Sequence, residues 1–200
     1  YSKPIQIVKG RMQHVFDEQG RKYLDAFAGV ATVSIGHSHP HFVRKLTEQI
    51  GEYLHTTSLY LHPSLGLYAQ RLLAKVKAAN PALDVCFFTN SGSEANELAA
   101  LIAKAHTGSP NFVALRHSYH GRTLMAMALT GQSNWRHSEP YGQSVSFAQA
   151  NYVYRGQRAK ACVDDLAETI RTSTPGKIAA FYAEPINGVG GVITPEPEYF

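Results

Sequence analysis

Apolar positions follow two regimes along the 200-residue chain. Through residues 4–27 they come in short stretches broken by charged turns. Ile5-Gln6-Ile7-Val8 alternates imperfectly, while His14-Val15-Phe16, Asp17-Glu18-Gln19-Gly20 and Arg21-Lys22-Tyr23-Leu24 read as strand, turn and strand. This predicts a small antiparallel meander. Helical spacing then takes over. Phe42, Val43, Leu46, Ile50, Tyr53 and Leu54 share one side of a helix opened by Pro40. Leu65, Tyr68, Leu72 and Val76 mark a second helix over 63–79, stopped by Asn80-Pro81.

From residue 85 on, strands and helices alternate. Val85–Phe88, Asn111–Leu115 and Ile178–Ala183 are short apolar runs suited to strands buried on both faces. Helices are expected through Ala95–Ala105, Thr123–Leu129 and Asp164–Arg171. Asn151–Tyr154 reads as a further short strand, and Gly131–Gln149 as a long polar loop around Trp135. Such alternation calls for an α/β fold, a mainly parallel sheet with helices packed on its faces.

Composition narrows the function classes. Hydrophobic residues at 44% and charged residues at 17% suit a globular protein, and the net charge of +4 is scattered, which argues against a nucleic-acid surface. No apolar run approaches a membrane span, and no targeting segment is visible. Cys86 and Cys162 have no paired spacing, so neither a disulfide framework nor a zinc site is expected, and a reducing compartment fits. His37, His39 and His41 alternate, but with no carboxylate or cysteine close in sequence they read as a histidine-rich helix start, not a metal site.

The chemistry gathers after three apolar runs. Ser91 and Glu94 fit an S-x-x-E capping box, with Ser91 as N-cap and Gly92 allowing close approach to the backbone. The first N–H groups of such a helix form an anion seat or simply face water. Tyr119 follows a buried strand and precedes Gly121; its ring either lies on a planar cofactor or packs on its own loop. Glu184 ends the last apolar run, either beside a ligand or arginine or as a solvated carboxylate. In open α/β sheets, ligands sit beyond the carboxyl ends of the strands, where all three lie.

These stretches carry a resemblance. Asn90-Ser91-Gly92-Ser93-Glu94-Ala95-Asn96 resembles the phosphate cup of class III aminotransferases, which use pyridoxal phosphate. Tyr119-His120-Gly121-Arg122-Thr123 resembles the segment whose aromatic covers the pyridine ring, and Gly36-His37-Ser38-His39-Pro40 resembles a structural segment near the cofactor. Glu184-Pro185-Ile186-Asn187-Gly188 resembles Glu-Pro-x-Gln-Gly; Asn187 replaces the usual Gln, so Glu184 alone is carried over. With Leu24–Gly29, these motifs span the chain in the family's order. Asn90–Leu98 and Ala183–Ile186 look most like the alanine–glyoxylate aminotransferase 2 group, and related phospho-lyases share them.

The resemblance implies a fold type I pyridoxal-phosphate-dependent transferase, incomplete in this chain. Residues 1–57 would be an N-terminal small-domain segment, and residues 58–200 the first part of the large cofactor-binding domain. Ser91, Gly92, Ser93, Tyr119, His120 and Glu184 would bind pyridoxal phosphate. The partners implied are an amino donor, a 2-oxo acid and a second copy in a homodimer, in the cytoplasm or mitochondrial matrix. The Schiff-base lysine is expected beyond Phe200, because Lys104 and Lys177 match no such motif. A phospho-lyase, or a truncated non-catalytic binding or dimerisation module, is the alternative.

Overall fold

A buried carboxylate organises the first strands. β1 (Ile7–Arg11), β2 (His14–Asp17) and β3 (Lys22–Leu24) form an antiparallel sheet in that order. Asp17, at the end of β2, is only 2% exposed. Its Oδ1 accepts the backbone N–H of Gln19 at 3.0 Å and of Arg21 at 2.9 Å; its Oδ2 accepts Arg21 Nε at 2.7 Å and the Tyr23 hydroxyl at 2.8 Å. Burial pushes the carboxyl pKa up, but the hydrogen bonds from Tyr23 and Arg21 outweigh it and hold the group below its ordinary value. The turn forms because that carboxylate satisfies two of its amides.

In this computed structural model, residues 3–137 and 142–200 are described, and the chain divides into two compact units, Tyr1–Asp84 and Val85–Phe200. The first unit adds α1 (Pro40–Glu52) and α2 (Pro63–Val76), each with proline in its first turn. His37 does not stand apart as a ligand. Its Nε2 is 2.6 Å from Asp25 Oδ2, and Asp25 Oδ1 accepts the N–H groups of Phe27 and Ala28.

The second unit is built on β4 (Asn111–Leu115), flanked in parallel by β5 (Ser144–Ala148) and β6 (Ala180–Tyr182). Side chains alternate across β4. Phe112 and Ala114 pack on Ala100 of α3 (Gly92–Thr107) and on Met125 and Leu129 of α4 (Leu124–Leu129). Leu115 packs on the other face with Ala159 and Cys162 of α5 (Ala159–Ser173). Helices therefore cover both faces of a parallel sheet.

Several expectations need correcting. Val85–Phe88 is not a strand, and Val85 and Phe87 are each 69% exposed. An apolar run becomes a strand only where a neighbour takes its backbone groups. Asn151–Tyr154 is no strand either. Val153–Arg155 forms a 3-10 turn closed by reciprocal Tyr152 and Gln157 backbone hydrogen bonds. Part of the loop expected over 131–149 is β5, where Val145 and Phe147 at alternate positions pack on the core; residues 138–141 lie outside the described residues. α5 begins five residues earlier than the expected Asp164, because Ala159 and Cys162 are buried on its face.

The sign of the Asp17 shift sets a stability test. A carboxyl whose pKa is lowered on folding stabilises the fold above its unfolded value of about 3.9, and loses that contribution as pH falls through the lower folded value. Asp17→Asn should lower the urea midpoint at neutral pH and flatten its decline below about pH 4. An unchanged acid profile would mean that Asp17 is not the group responsible.

Candidate active site

The start of α3 lies beside the turns that leave β4 and β6. Ser91 has extended backbone (φ −156°, ψ 161°), and its Oγ accepts the Glu94 N–H at 3.2 Å. The Glu94 carboxylate folds back, but Oε2 takes the N–H of Asn90 at 2.8 Å and its amide Nδ2 at 3.0 Å. The box thus closes one residue before the cap rather than on it. The N–H groups of Gly92 and Ser93 keep no acceptor among the described residues. Nothing lies within 4 Å of where a Gly92 side chain would begin. Two N–H groups without an acceptor among the described residues therefore sit at the positive end of a 16-residue helix.

The turn after β4 is held from three sides. The Tyr119 N–H donates to Glu184 Oε1 at 2.8 Å, while Glu184 Oε2 accepts the Gly188 N–H at 2.9 Å. Glu184 thereby clamps the β4 and β6 turns together, with a backbone donor on each oxygen. The His120 N–H donates to Thr130 Oγ1 at 3.0 Å, and its carbonyl accepts Asn96 Nδ2 at 2.7 Å. Gly121 (φ +129°) passes so close to α3 that a β-carbon would collide with Ser93 Oγ. That Oγ accepts the Arg122 N–H at 3.2 Å, and Glu97 Oε1 accepts the Met125 N–H at 2.7 Å.

Electrostatics follow from this packing. His120 is 8% exposed, and its ring meets Tyr182 edge-on at 5.8 Å. Burial pushes its pKa down, and nearby Glu184 opposes that without overcoming it. The imidazole is neutral at neutral pH, and its buried Nε2 has no partner among the described residues. The Tyr119 ring is half-buried and edge-on to Trp135 at 5.5 Å, and the Arg122 guanidinium lies 5.6 Å from the same indole.

Ser91, Gly92, Ser93, Tyr119, His120 and Glu184, singled out in the sequence, thus gather at one end of the sheet. Asn96, Glu97 and Thr130 were not foreseen. Asn96 and Glu97 fall three and four positions after Ser93, hence on the same helix face, a spacing the sequence does carry. Lys104 and Lys177 lie at the other end of the strands. Lys104 Nζ donates to Gln143 Oε1 at 2.9 Å, just before β5, and the Lys177 carbonyl accepts Ser109 Oγ at 2.9 Å, just before β4.

Comparison with known proteins is consistent in kind. A family model described as aminotransferase class-III matches residues 1–200. Alanine–glyoxylate aminotransferase 2 homolog 2, mitochondrial, from Arabidopsis thaliana is 44% identical over 202 residues, covering 100% of this chain and 42% of the relative. An acetylornithine aminotransferase from Methanosarcina mazei is 34% identical, covering 98% of this chain and 46% of the relative. A solved transaminase from the marine bacterium Virgibacillus superposes with a TM-score of 0.84 at 26% identity, over 99% of this chain and 45% of its own. The chain spans less than half the length of these relatives.

Two glycine substitutions separate crowding from openness. Gly121→Ala forces a side chain into Ser93 at a left-handed backbone position, and should cost roughly 1–3 kcal/mol of stability in urea denaturation. Gly92→Ala meets open space at a helix start and should stay within about 0.5 kcal/mol of the parent. Equal costs would show that the Ser93–Gly121 contact does not set the turn.

Proposed function

The chain belongs to the aminotransferase class-III family, and on that premise we propose that it forms the phosphate seat and ring cover of an alanine–glyoxylate-type enzyme using pyridoxal phosphate. Its fold is that of the type I transferases, as in its solved transaminase neighbours. The observation that carries the proposal is the pair of N–H groups at Gly92 and Ser93 without an acceptor among the described residues, at a helix start that Ser93 Oγ ties to the turn carrying Tyr119.

The residues present fit the cofactor. Gly92 and Ser93 offer two backbone donors to a phosphate at a helix N-terminus, where the dipole favours negative charge. Ser93 Oγ already accepts from Arg122 N–H, so its hydroxyl proton is left to donate outward. Ser91 fixes the first turn through Glu94 N–H. Tyr119 covers the ring face, and Glu184 sets the height of that cover by holding the Tyr119 amide. His120, neutral and buried, adds no charge to the turn that carries Tyr119. Bound pyridoxal phosphate would supply an aldehyde that accepts the amino group from a donor and yields it to a 2-oxo acid, with its electron-withdrawing ring taking up the charge between.

The donor and acceptor are proposed from the plant relative at 44% identity. An acetylornithine-type donor is the second reading, supported by the 34% identical Methanosarcina protein. The mitochondrial plant relative supports a mitochondrial location, and we propose a homodimer for the whole protein. We take residues 1–57 as the small-domain segment and 58–200 as the first part of the large domain. With Lys104 and Lys177 at the far end of the strands, we place the lysine that anchors the cofactor beyond Phe200.

The full-length protein, loaded with cofactor and given alanine and glyoxylate, should form pyruvate and glycine in equal amounts. Product formation from an amine substrate without any 2-oxo acid would overturn the transferase reading in favour of a lyase. Ser93→Pro removes one donor and should sharply weaken cofactor binding while leaving substrate preference unchanged. Tyr119→Ala should weaken it by roughly 1–3 kcal/mol and Tyr119→Phe by much less, because the ring face makes the contact. If Phe and Ala behaved alike in equilibrium cofactor titrations, stacking would not be the role of Tyr119.

A further inference from the structure

The first two turns of α3 do more than present amides. Three of their side chains hold the backbone of the neighbouring turn: Ser93 Oγ takes Arg122 N–H, Asn96 Nδ2 gives to His120 C=O, and Glu97 Oε1 takes Met125 N–H. Of these contacts, only the Asn96 bond lands directly next to Tyr119, and at 2.7 Å it ties with the Glu97 bond as the shortest. The same residue is held from the sheet side, where the Tyr182 hydroxyl donates to the Asn96 carbonyl at 3.2 Å. Tyr182 in turn packs its ring against His120. Asn96, His120 and Tyr182 therefore close a ring of contacts joining α3, the β4 turn and β6.

We infer that Asn96 is a positioning residue that fixes the ring cover relative to the phosphate seat; this rests on the cofactor reading above. The Tyr119 amide is held by Glu184 and the following amide, of His120, by Thr130. The His120 carbonyl is the point at which α3, the helix that carries the phosphate seat, takes hold of the same residue, so the Asn96 bond ties the placement of the turn to the seat itself. Asn suits the position because its amide donates to a carbonyl without adding charge beside a neutral, buried imidazole. Aspartate at the same place would turn an oxygen on the carbonyl and put a charge next to Glu97.

The role separates from general stability because the cofactor has two parts. Inorganic phosphate needs only the α3 amides, whereas pyridoxal phosphate needs the amides and a correctly placed Tyr119. In the full-length apoprotein, Asn96→Ala should leave the dissociation constant for inorganic phosphate within about twofold and raise that for pyridoxal phosphate about tenfold, the loss of one well-formed hydrogen bond to a rigid turn. The dichroism of the bound cofactor's absorption band should fall as well, since ring orientation is what the substitution loosens.

Asn96→Asp supplies the control. When ionised it cannot donate to His120 C=O; when protonated it can. Its cofactor affinity should therefore recover towards the parent value as pH is lowered through the carboxyl's titration, with no such recovery in Asn96→Ala. Equal weakening of phosphate and pyridoxal phosphate in Asn96→Ala, or parent-like cofactor affinity, would overturn the positioning role. Failure of the unsubstituted protein to bind inorganic phosphate competitively with the cofactor would instead overturn the seat, and this role with it.

Discussion

The site depends on a topological constraint. β4 is paired in parallel on both sides, so the chain must leave β4 and β6 at the same end of the sheet. Phe112 and Ala114 on one face and Leu115 on the other are buried against helices, which leaves β4 no freedom to slip in register. The turns carrying Tyr119 and Glu184 are thus brought together before any polar contact forms. Their unpaired amides then need acceptors, and Glu184 serves one amide in each turn.

The polar contacts divide into those that close the structure and those left open. Almost every side chain near the turn serves backbone: Glu184, Thr130, Asn96, Ser93 and Glu97 each meet an N–H or a carbonyl. Against this background, the open N–H groups at Gly92 and Ser93 are conspicuous. Water solvates them at little cost while the seat is exposed. A phosphate there would gain charge-assisted hydrogen bonds with no rearrangement of the helix. The carboxylate that could have quenched them, Glu94, is turned back towards Asn90.

Much of this was legible in the residues. The meander showed in its charged turns, α1 to α5 in their periodicity, and the six candidate residues that gather at one end of the sheet in motifs placed after apolar runs. What escaped follows from what a local pattern can hold. Val85–Phe88 has the composition of a strand, but pairing depends on a neighbour that no local window contains. β5 was hidden because Ser144, Ser146 and the Gly and Gln residues around it outweigh Val145 and Phe147. Asn96 and Glu97 were passed over because their partners lie 24 and 28 residues away, in a turn whose path only the fold determines. Glu184 was recognised as a strand-end carboxylate, but its two backbone partners depend on the β4 and β6 turns emerging side by side.

The central claim is that the amides of Gly92 and Ser93 are donors held open for the phosphate of a cofactor covered by Tyr119. Amide hydrogen exchange, resolved by residue in the full-length protein with and without pyridoxal phosphate, tests it most directly. Binding should add strong protection at Gly92 and Ser93, with little change at Glu94, whose N–H is already bonded to Ser91 Oγ. Saturating cofactor that leaves exchange at Gly92 and Ser93 unaltered would contradict it.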